Sequence, residues 1–592
     1  MRGYIIARMR FTRVLPLLLG MAVAVVAQHP AHPRPEPPGP AGRLQHIVVI
    51  FQENISFDHY FATYPHALNP PGEPPFHALP GTPSVEGLSG ALLTQNPNFT
   101  NRANGANAAN PFRLDRSQAA TADQSHTYHN EQLAFDHGKM DLFPKYTGRR
   151  GPPPGEHAPS WLKPPLTTQG LVMGYFDGNT VTALWNYAQH YAMSDYFFGT
   201  TFGPSTVGAL NLISGQTNGV SATRNGHGGI VDGGAGSLTD SSDSDPLGDV
   251  CSNPARTQFA MGGKNIGDLL TAAGVTWGWF QGGFDLQMVN PDGSTGCRRR
   301  HFSRIVGRNI TDYVPHHDPF QYYASTANPQ HLRPSSLQAI GHNGGRANHN
   351  YDLEDFFDAV LGGNFPQVTF LKAPAYENGH AGNSDPLDGQ NFIVRVINFL
   401  ERQKQWDHTA VILTYDDSDG WYDHVASPRV NGSRSSEDAF TSPGVCGDGT
   451  PRLRGIAANN PRAQGRCGYG PRLPLLVISP WTRPNFVAHN LTDQTSVLRL
   501  IEDTFLHGER IGRGSFDAIS GSLDPMFDFS GTQPGNTKRL LLTPSTGEAR
   551  GSRGPRFGRV SSVVNDTVRR LRAQPRQVPR QSMSGGGSSE ES

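Results

Sequence analysis

Two things are scarce in this 592-residue chain: cysteine, of which there are four, and net charge, since 50 Lys and Arg face 50 Asp and Glu. A formal charge of zero provides no field to draw the protein toward nucleic acid or an anionic membrane, and no nucleic-acid partner is expected. The four cysteines, Cys251, Cys297, Cys446 and Cys467, show none of the close Cys-x-x-Cys spacings of a structural zinc site. Long apolar runs are missing as well. The stretch 14–26 is the apolar one, and it is shorter than a membrane span needs. With Arg2, Arg8, Arg10 and Arg13 before it and Val25-Val26-Ala27 at its end, residues 1–27 read as a signal peptide. A secreted or periplasmic protein without a stable membrane anchor is therefore expected, with 28–43 as a Pro-rich linker. In such a compartment the simplest of the three possible cysteine pairings joins sequence neighbours, Cys251 to Cys297 and Cys446 to Cys467.

Glycine and proline, by contrast, are plentiful, at 68 and 48. They imply a loop-rich enzyme with long excursions between core elements. Among those loops, residues 47–51 form a continuous β-branched run, short enough for a strand buried on both faces. It ends in Gln52, Glu53 and Asn54, oxygen-bearing side chains at the edge where an open α/β sheet binds ligands. A second such strand, 409–415, runs into Asp416 and Asp417. Two adjacent carboxylates repel each other unless a cation or proton lies between them. If the two strands are neighbours in one parallel sheet, Glu53, Asn54, Asp416 and Asp417 make an all-oxygen site for one divalent metal ion. Such donors suit Ca, Mg or Mn, and zinc stays open.

These segments carry a resemblance. Gln52-Glu-Asn-x-Ser-Phe-Asp58, Gly203-Pro-Ser-Thr206 and Asp416-Asp-x-x-Gly-Trp-Tyr-Asp-His424 are similar to the secreted bacterial phosphoesterase family that includes phospholipases C and acid phosphatases. That family resembles the alkaline phosphatase fold. The expectation is thus an α/β, alkaline-phosphatase-like domain over 44–532, with a mostly parallel central sheet, helices on both faces and long loop excursions. The Arg-, Ser- and Gly-rich stretch 533–592 reads as a disordered tail.

Helical spacing of apolar residues over 184–198 predicts a core helix leading into Gly203-Pro204, and a second helix over 205–213. Ser205 then lies at a helix N-terminus, as a cap or beside a bound phosphoryl anion. The resemblance implies the second role, with Ser205 as nucleophile. It also implies that His126 (in Asp123-x-x-His), His317 (in His317-x-Pro-Phe) and His380 surround the phosphoryl oxygens, and gives Asp423 and His424 a supporting role. Phospholipases C of the family continue Thr-x-Pro-Asn-Arg, whereas this chain has Ser205-Thr-Val-Gly-Ala209 and no strand-rich C-terminal domain. These departures favour the acid phosphatase branch, acting on phosphomonoesters, with phospholipase C as the alternative. A sulfatase-like enzyme would need a Pro and an Arg after the nucleophile, and Ser205 is followed by neither. A non-catalytic binding protein on the same fold is the remaining rival.

Overall fold

The computed structural model describes residues 39–151, 164–303, 305–457, 460 and 462–550. The expected signal peptide, most of the Pro-rich linker and the tail from 551 onward lie outside the described residues. The first strand, β1 (His46–Gln52), is buried along its whole length. Successive side chains of a strand point to opposite faces. Val48 and Ile50 join one core and Ile47, Val49 and Phe51 another. A strand covered on both sides has no solvent face to alternate with, which is why its sequence reads as an unbroken apolar run.

In chain order there follow α1 (Thr182–His190), β2 (Ala192–Ser194), α2 (Ser205–Ser214), α3 (Ile266–Ala272) and β3 (Trp277–Gln281). Next come β4 (Asn350–Asp352), α4 (Leu353–Leu361), β5 (Val368–Lys372), α5 (Pro386–Leu400) and β6 (Thr409–Tyr415). Then β7 (Leu475–Ile478), β8 (Phe486–Ala488) and α6 (Thr495–Phe505) complete the central layer. The sheet has eight strands in the order β4-β3-β5-β1-β6-β7-β2-β8. All pairings are parallel except those on either side of β7, which alone runs in reverse. Trp185 of α1, Phe356 of α4 and Phe392 of α5 pack into the first core, while Leu210 of α2, Leu270 of α3 and Leu498 of α6 pack into the second. The fold is the expected α/β class, a mostly parallel sheet between two helical layers.

The predicted helix over 184–198 is instead α1 followed by β2 and a further two-residue strand, Phe197–Phe198. Helix α1 stops at His190, and the next apolar residues fill a sheet position between β7 and β8. Short buried runs fit either period, and here the vacant edge of the reversed strand β7 decides. The packed chain also continues beyond 532, where the tail was expected to begin. Leu542 is fully buried, and its carbonyl accepts from Asn398 Nδ2 at 2.8 Å while its N–H donates to Asn398 Oδ1 at 3.0 Å.

Between α2 and α3 the chain builds a separate five-stranded sheet from Asn218–Arg224, Ile230–Gly234, Ser237–Asp240, Asp245–Pro246 and Gln258–Met261. Both expected disulfides form. Cys251–Cys297 ties this excursion to the loop after β3, and Cys446–Cys467 closes part of the loop between β6 and β7.

Candidate active site

Strands β1 and β6 pair in register from His46 opposite Thr409 to Gln52 opposite Tyr415. The residues that follow them, Glu53-Asn54 and Asp416-Asp417, therefore emerge together at the carboxyl edge of the sheet. The Asn54 N–H donates to Asp416 Oδ1 at 2.9 Å, and Asn54 adopts φ 57°, a left-handed conformation uncommon outside glycine. On the other side of β1, Lys372 ends β5. Its Nζ pairs with Glu53 Oε1 and lies 3.4 Å from Asp416 Oδ2.

Helix α2 delivers Ser205 to this edge from the opposite side. The helix cap is Pro204, which has no side-chain hydroxyl, and Ser205 occupies the first helical position without capping it. Its Oγ instead approaches Asp417 Oδ2 at 3.1 Å and both Glu53 Oε2 and Asn54 Oδ1 at 3.4 Å. Gly208 makes this approach feasible, because a Cβ there would sit 2.0 Å from the Asp416 carbonyl oxygen. Gly208 is thus a packing requirement where the helix crosses the end of β6. Ser205, Glu53, Asn54, Asp416 and Asp417 are all buried.

Burial and the neighbouring Glu53 push Asp416 above the usual carboxylate range, and burial pushes Asp417 well above it. Glu53 is also opposed by burial, but Lys372 and His380 hold it below its ordinary value. Burial disfavours the Lys372 ammonium, yet Glu53 and Asp416 keep it charged. The edge is thus short of positive charge even with the lysine present. The Asn54 side-chain oxygen faces only acceptors. Either the amide turns, its nitrogen then donating to Glu53 Oε2 at 2.8 Å and Asp416 Oδ1 at 3.2 Å, or a cation lies among these oxygens. An oxygen-only donor set around Ser205 Oγ fits a hard divalent ion.

The three histidines divide into two groups. His126 Nδ1 lies 3.1 Å from Asp419 Oδ1 and 3.7 Å from Asp123 Oδ1. Burial works against its charge, but Asp417, Asp419 and Asp123 hold it protonated, well above the ordinary value. His380 packs 6.3 Å from it, centroid to centroid, and is likewise raised, Asp123 and Glu53 outweighing burial. His317 stands apart with Nδ1 3.2 Å from Glu53 Oε1, and burial together with His316 and Lys372 keeps it neutral. Asp419, pushed to about 8 by burial and Asp123, has φ 53°. Asp123, His126 and Asp419 also bring one ligand atom each within 4.8 Å of one another.

Lys372, Asp419 and Glu131 are the participants that sequence reasoning passed over. Glu131 accepts from Ser418 Oγ at 2.7 Å and from the Gly203 N–H at 3.0 Å, joining the Asp417 loop to the turn before Ser205. Asp423 and His424 do not face Ser205. Arg472, fully buried, donates to Asp423 Oδ1 at 3.1 Å and to Asp58 Oδ1 at 2.9 Å, and His424 Nδ1 lies 2.6 Å from Asp58 Oδ2. This cluster clamps the segment after β1 to the one after β6.

Fold and site together define an α/β protein whose hydroxyl, carboxylates, lysine and histidines converge at the carboxyl edge of a parallel sheet. The sequence model of the Phosphoesterase family matches residues 44–506, and the chain belongs to that family. It is 25% identical over 556 residues to the non-hemolytic phospholipase C of Pseudomonas aeruginosa, covering 91% of this chain and 63% of that protein. It is 23% identical over 523 residues to phospholipase C A of Mycobacterium tuberculosis, covering 86% of this chain and 82% of that one. The chain thus spans less than two thirds of the Pseudomonas relative. A solved structure of murine ectonucleotide pyrophosphatase/phosphodiesterase 5 aligns with a TM-score of 0.27 at 12% identity, over 59% of this chain and 95% of that one, too distant to carry an argument.

Proposed function

We propose that this chain is an exported, metal-dependent phosphoester hydrolase of the phospholipase C kind, cleaving phosphodiesters through Ser205. The observation that carries it is the Ser205 hydroxyl at the head of α2, within 3.4 Å of Glu53, Asn54 and Asp417. The phospholipase C relatives support this reading over the acid phosphatase one expected from sequence. Within the Ser205-Thr-Val-Gly-Ala209 departure that favoured acid phosphatase, Gly208 has a packing reason of its own, its contact with the end of β6. No helix among the described residues is long and apolar enough to cross a membrane, and the two disulfides fit an oxidising compartment.

Glu53, Asn54, Asp416 and Asp417 would hold the divalent ion, which when bound polarises the phosphoryl oxygens and favours the ionised serine. Ser205 Oγ attacks phosphorus, one of the two ester alcohols departs with a proton, and the phosphoryl group, still bearing its other ester, remains on Ser205 for water to hydrolyse. The N-terminus of α2 turns the positive end of its dipole toward the phosphoryl group. His126 and His380, held protonated, are the donors available to the leaving oxygen or to phosphoryl oxygens, and neutral His317 orients Glu53.

A substrate panel tests this: phosphatidylcholine vesicles, bis(p-nitrophenyl) phosphate and p-nitrophenyl phosphate, each with the protein before and after chelation and after return of Ca, Mg, Mn or Zn. Diester cleavage that is lost on chelation and restored by one ion is expected. A protein that cleaves only monoesters, or is indifferent to chelation, would contradict it.

A further inference from the structure

The excursion between α2 and α3 returns to the active-site edge at one residue. Asp243, in the turn joining Ser237–Asp240 to Asp245–Pro246, accepts the Thr206 N–H on Oδ1 at 2.9 Å. Thr206 directly follows Ser205, and its amide is one of those a helix leaves unpaired in its first turn. Its bond to Asp243 holds that carboxylate one residue from the Ser205 Oγ that would carry a phosphoryl group.

The turn is held on both sides of Asp243. Ser241 Oγ donates to the Gly229 carbonyl at 2.5 Å, Tyr322 Oη donates to the Ser244 carbonyl at 2.5 Å, and Arg256 donates to the Asp243 carbonyl rather than its carboxylate. Arg256 and His316 are directed instead to Asp245, at 3.4 and 3.5 Å. Among the described residues no Lys, Arg or His forms an ion pair with the Asp243 carboxylate. A carboxylate without a cationic partner is thereby held on the amide next to Ser205.

The geometry points to Asp243 as a specificity-determining residue of the Ser205 centre, one whose carboxylate favours singly charged phosphodiesters over doubly charged phosphomonoesters. The inference rests on the reading of Ser205 as nucleophile. In a diester the second ester oxygen is neutral and can face Asp243 with the Thr206 bond intact. A monoester or free phosphate brings a further anionic oxygen against the carboxylate, a like-charge juxtaposition that discriminates by repulsion.

The test uses the full chain with Asp243→Asn, which keeps an oxygen for the Thr206 N–H and removes the charge, and Asp243→Ala, which removes both. The readouts are kcat/KM for p-nitrophenyl phosphate relative to bis(p-nitrophenyl) phosphate, and the affinity for inorganic phosphate by calorimetry. Both variants should raise the monoester-to-diester ratio about tenfold and tighten phosphate binding by a similar factor. An unchanged ratio with unchanged phosphate affinity overturns the inference, including the case in which Asp243→Ala only lowers the melting temperature, as loss of a helix cap would. If the wild type cleaves neither ester, it is the Ser205 reading that fails, and the phosphate titration alone then decides the effect of Asp243.

Discussion

Lys372 Nζ lies 3.4 Å from Asp416 Oδ2 while pairing with Glu53, so that one ammonium bridges carboxylates carried by the two strands on its side of the site. Strands β5, β1 and β6 are consecutive in the sheet, and each contributes its terminal residue or the next to this contact. Breaking a buried ion pair by removing one partner costs about 3–5 kcal/mol, because the other charge stays buried. Lys372→Met should therefore lose much of its melting temperature in chelator and recover part of it when a divalent ion supplies the missing charge. Differential scanning calorimetry with and without Mg, Ca, Mn and Zn checks this. An equal loss in every condition would separate the lysine from the cation site.

Gly208 is the point at which α2 passes the end of β6, with space for no Cβ. Gly208→Ala must push the helix from the Asp416 carbonyl, and such overpacking costs about 1–3 kcal/mol. Because the same helix carries Ser205, activity should fall further than stability does. Urea midpoints and kcat for the variant are the measurements, and full activity in a normally stable variant would show that the helix has room.

The clamp formed by Asp58, Arg472, Asp423 and His424 predicts a pH dependence of stability. Burial disfavours charged His424, but Asp58 and Asp423 outweigh it and hold its pKa above the ordinary histidine value of 6.5. A raised folded-state pKa gives stability that is complete below the unfolded value and lost as pH rises through the folded one. A tenfold change in proton affinity between the two states is worth about 1.4 kcal/mol. Wild type minus His424→Gln, compared by urea midpoint across neutral and mildly alkaline pH, should thus show an advantage that fades above pH 6.5. A difference that is flat or grows with pH would contradict the assignment.

How much of this was legible in the sequence depended on whether the signal was local. Residues 47–51 and 409–415 announced buried strands because both of their faces are covered, and the acids that follow them met once the strands proved adjacent. Both disulfide pairs followed from chain order. Lys372 could have been found by the same edge rule, since it ends β5. Asp419 falls at an unspecified position of the Asp416–His424 motif, so the resemblance did not single it out. Arg472 and Asp243 left no local trace: each acts through a partner far away in sequence, Arg472 through Asp58 and Asp243 through Thr206. The 184–198 misreading arose where a short apolar run satisfied both periods. The cap reading of Ser205 could be separated from the alternative only by the direction of its hydroxyl.

The most direct measurement of the central claim is Ser205→Ala in the full chain, assayed with the best diester of the panel, alongside an acid-quenched phosphate label on the wild type. Ser205 makes no capping hydrogen bond, so the variant should melt close to wild type. Its kcat should fall at least about a thousandfold, as for other removed nucleophiles, and the wild-type label should map to Ser205. Near-normal turnover by Ser205→Ala, or a label on another residue, would contradict the account.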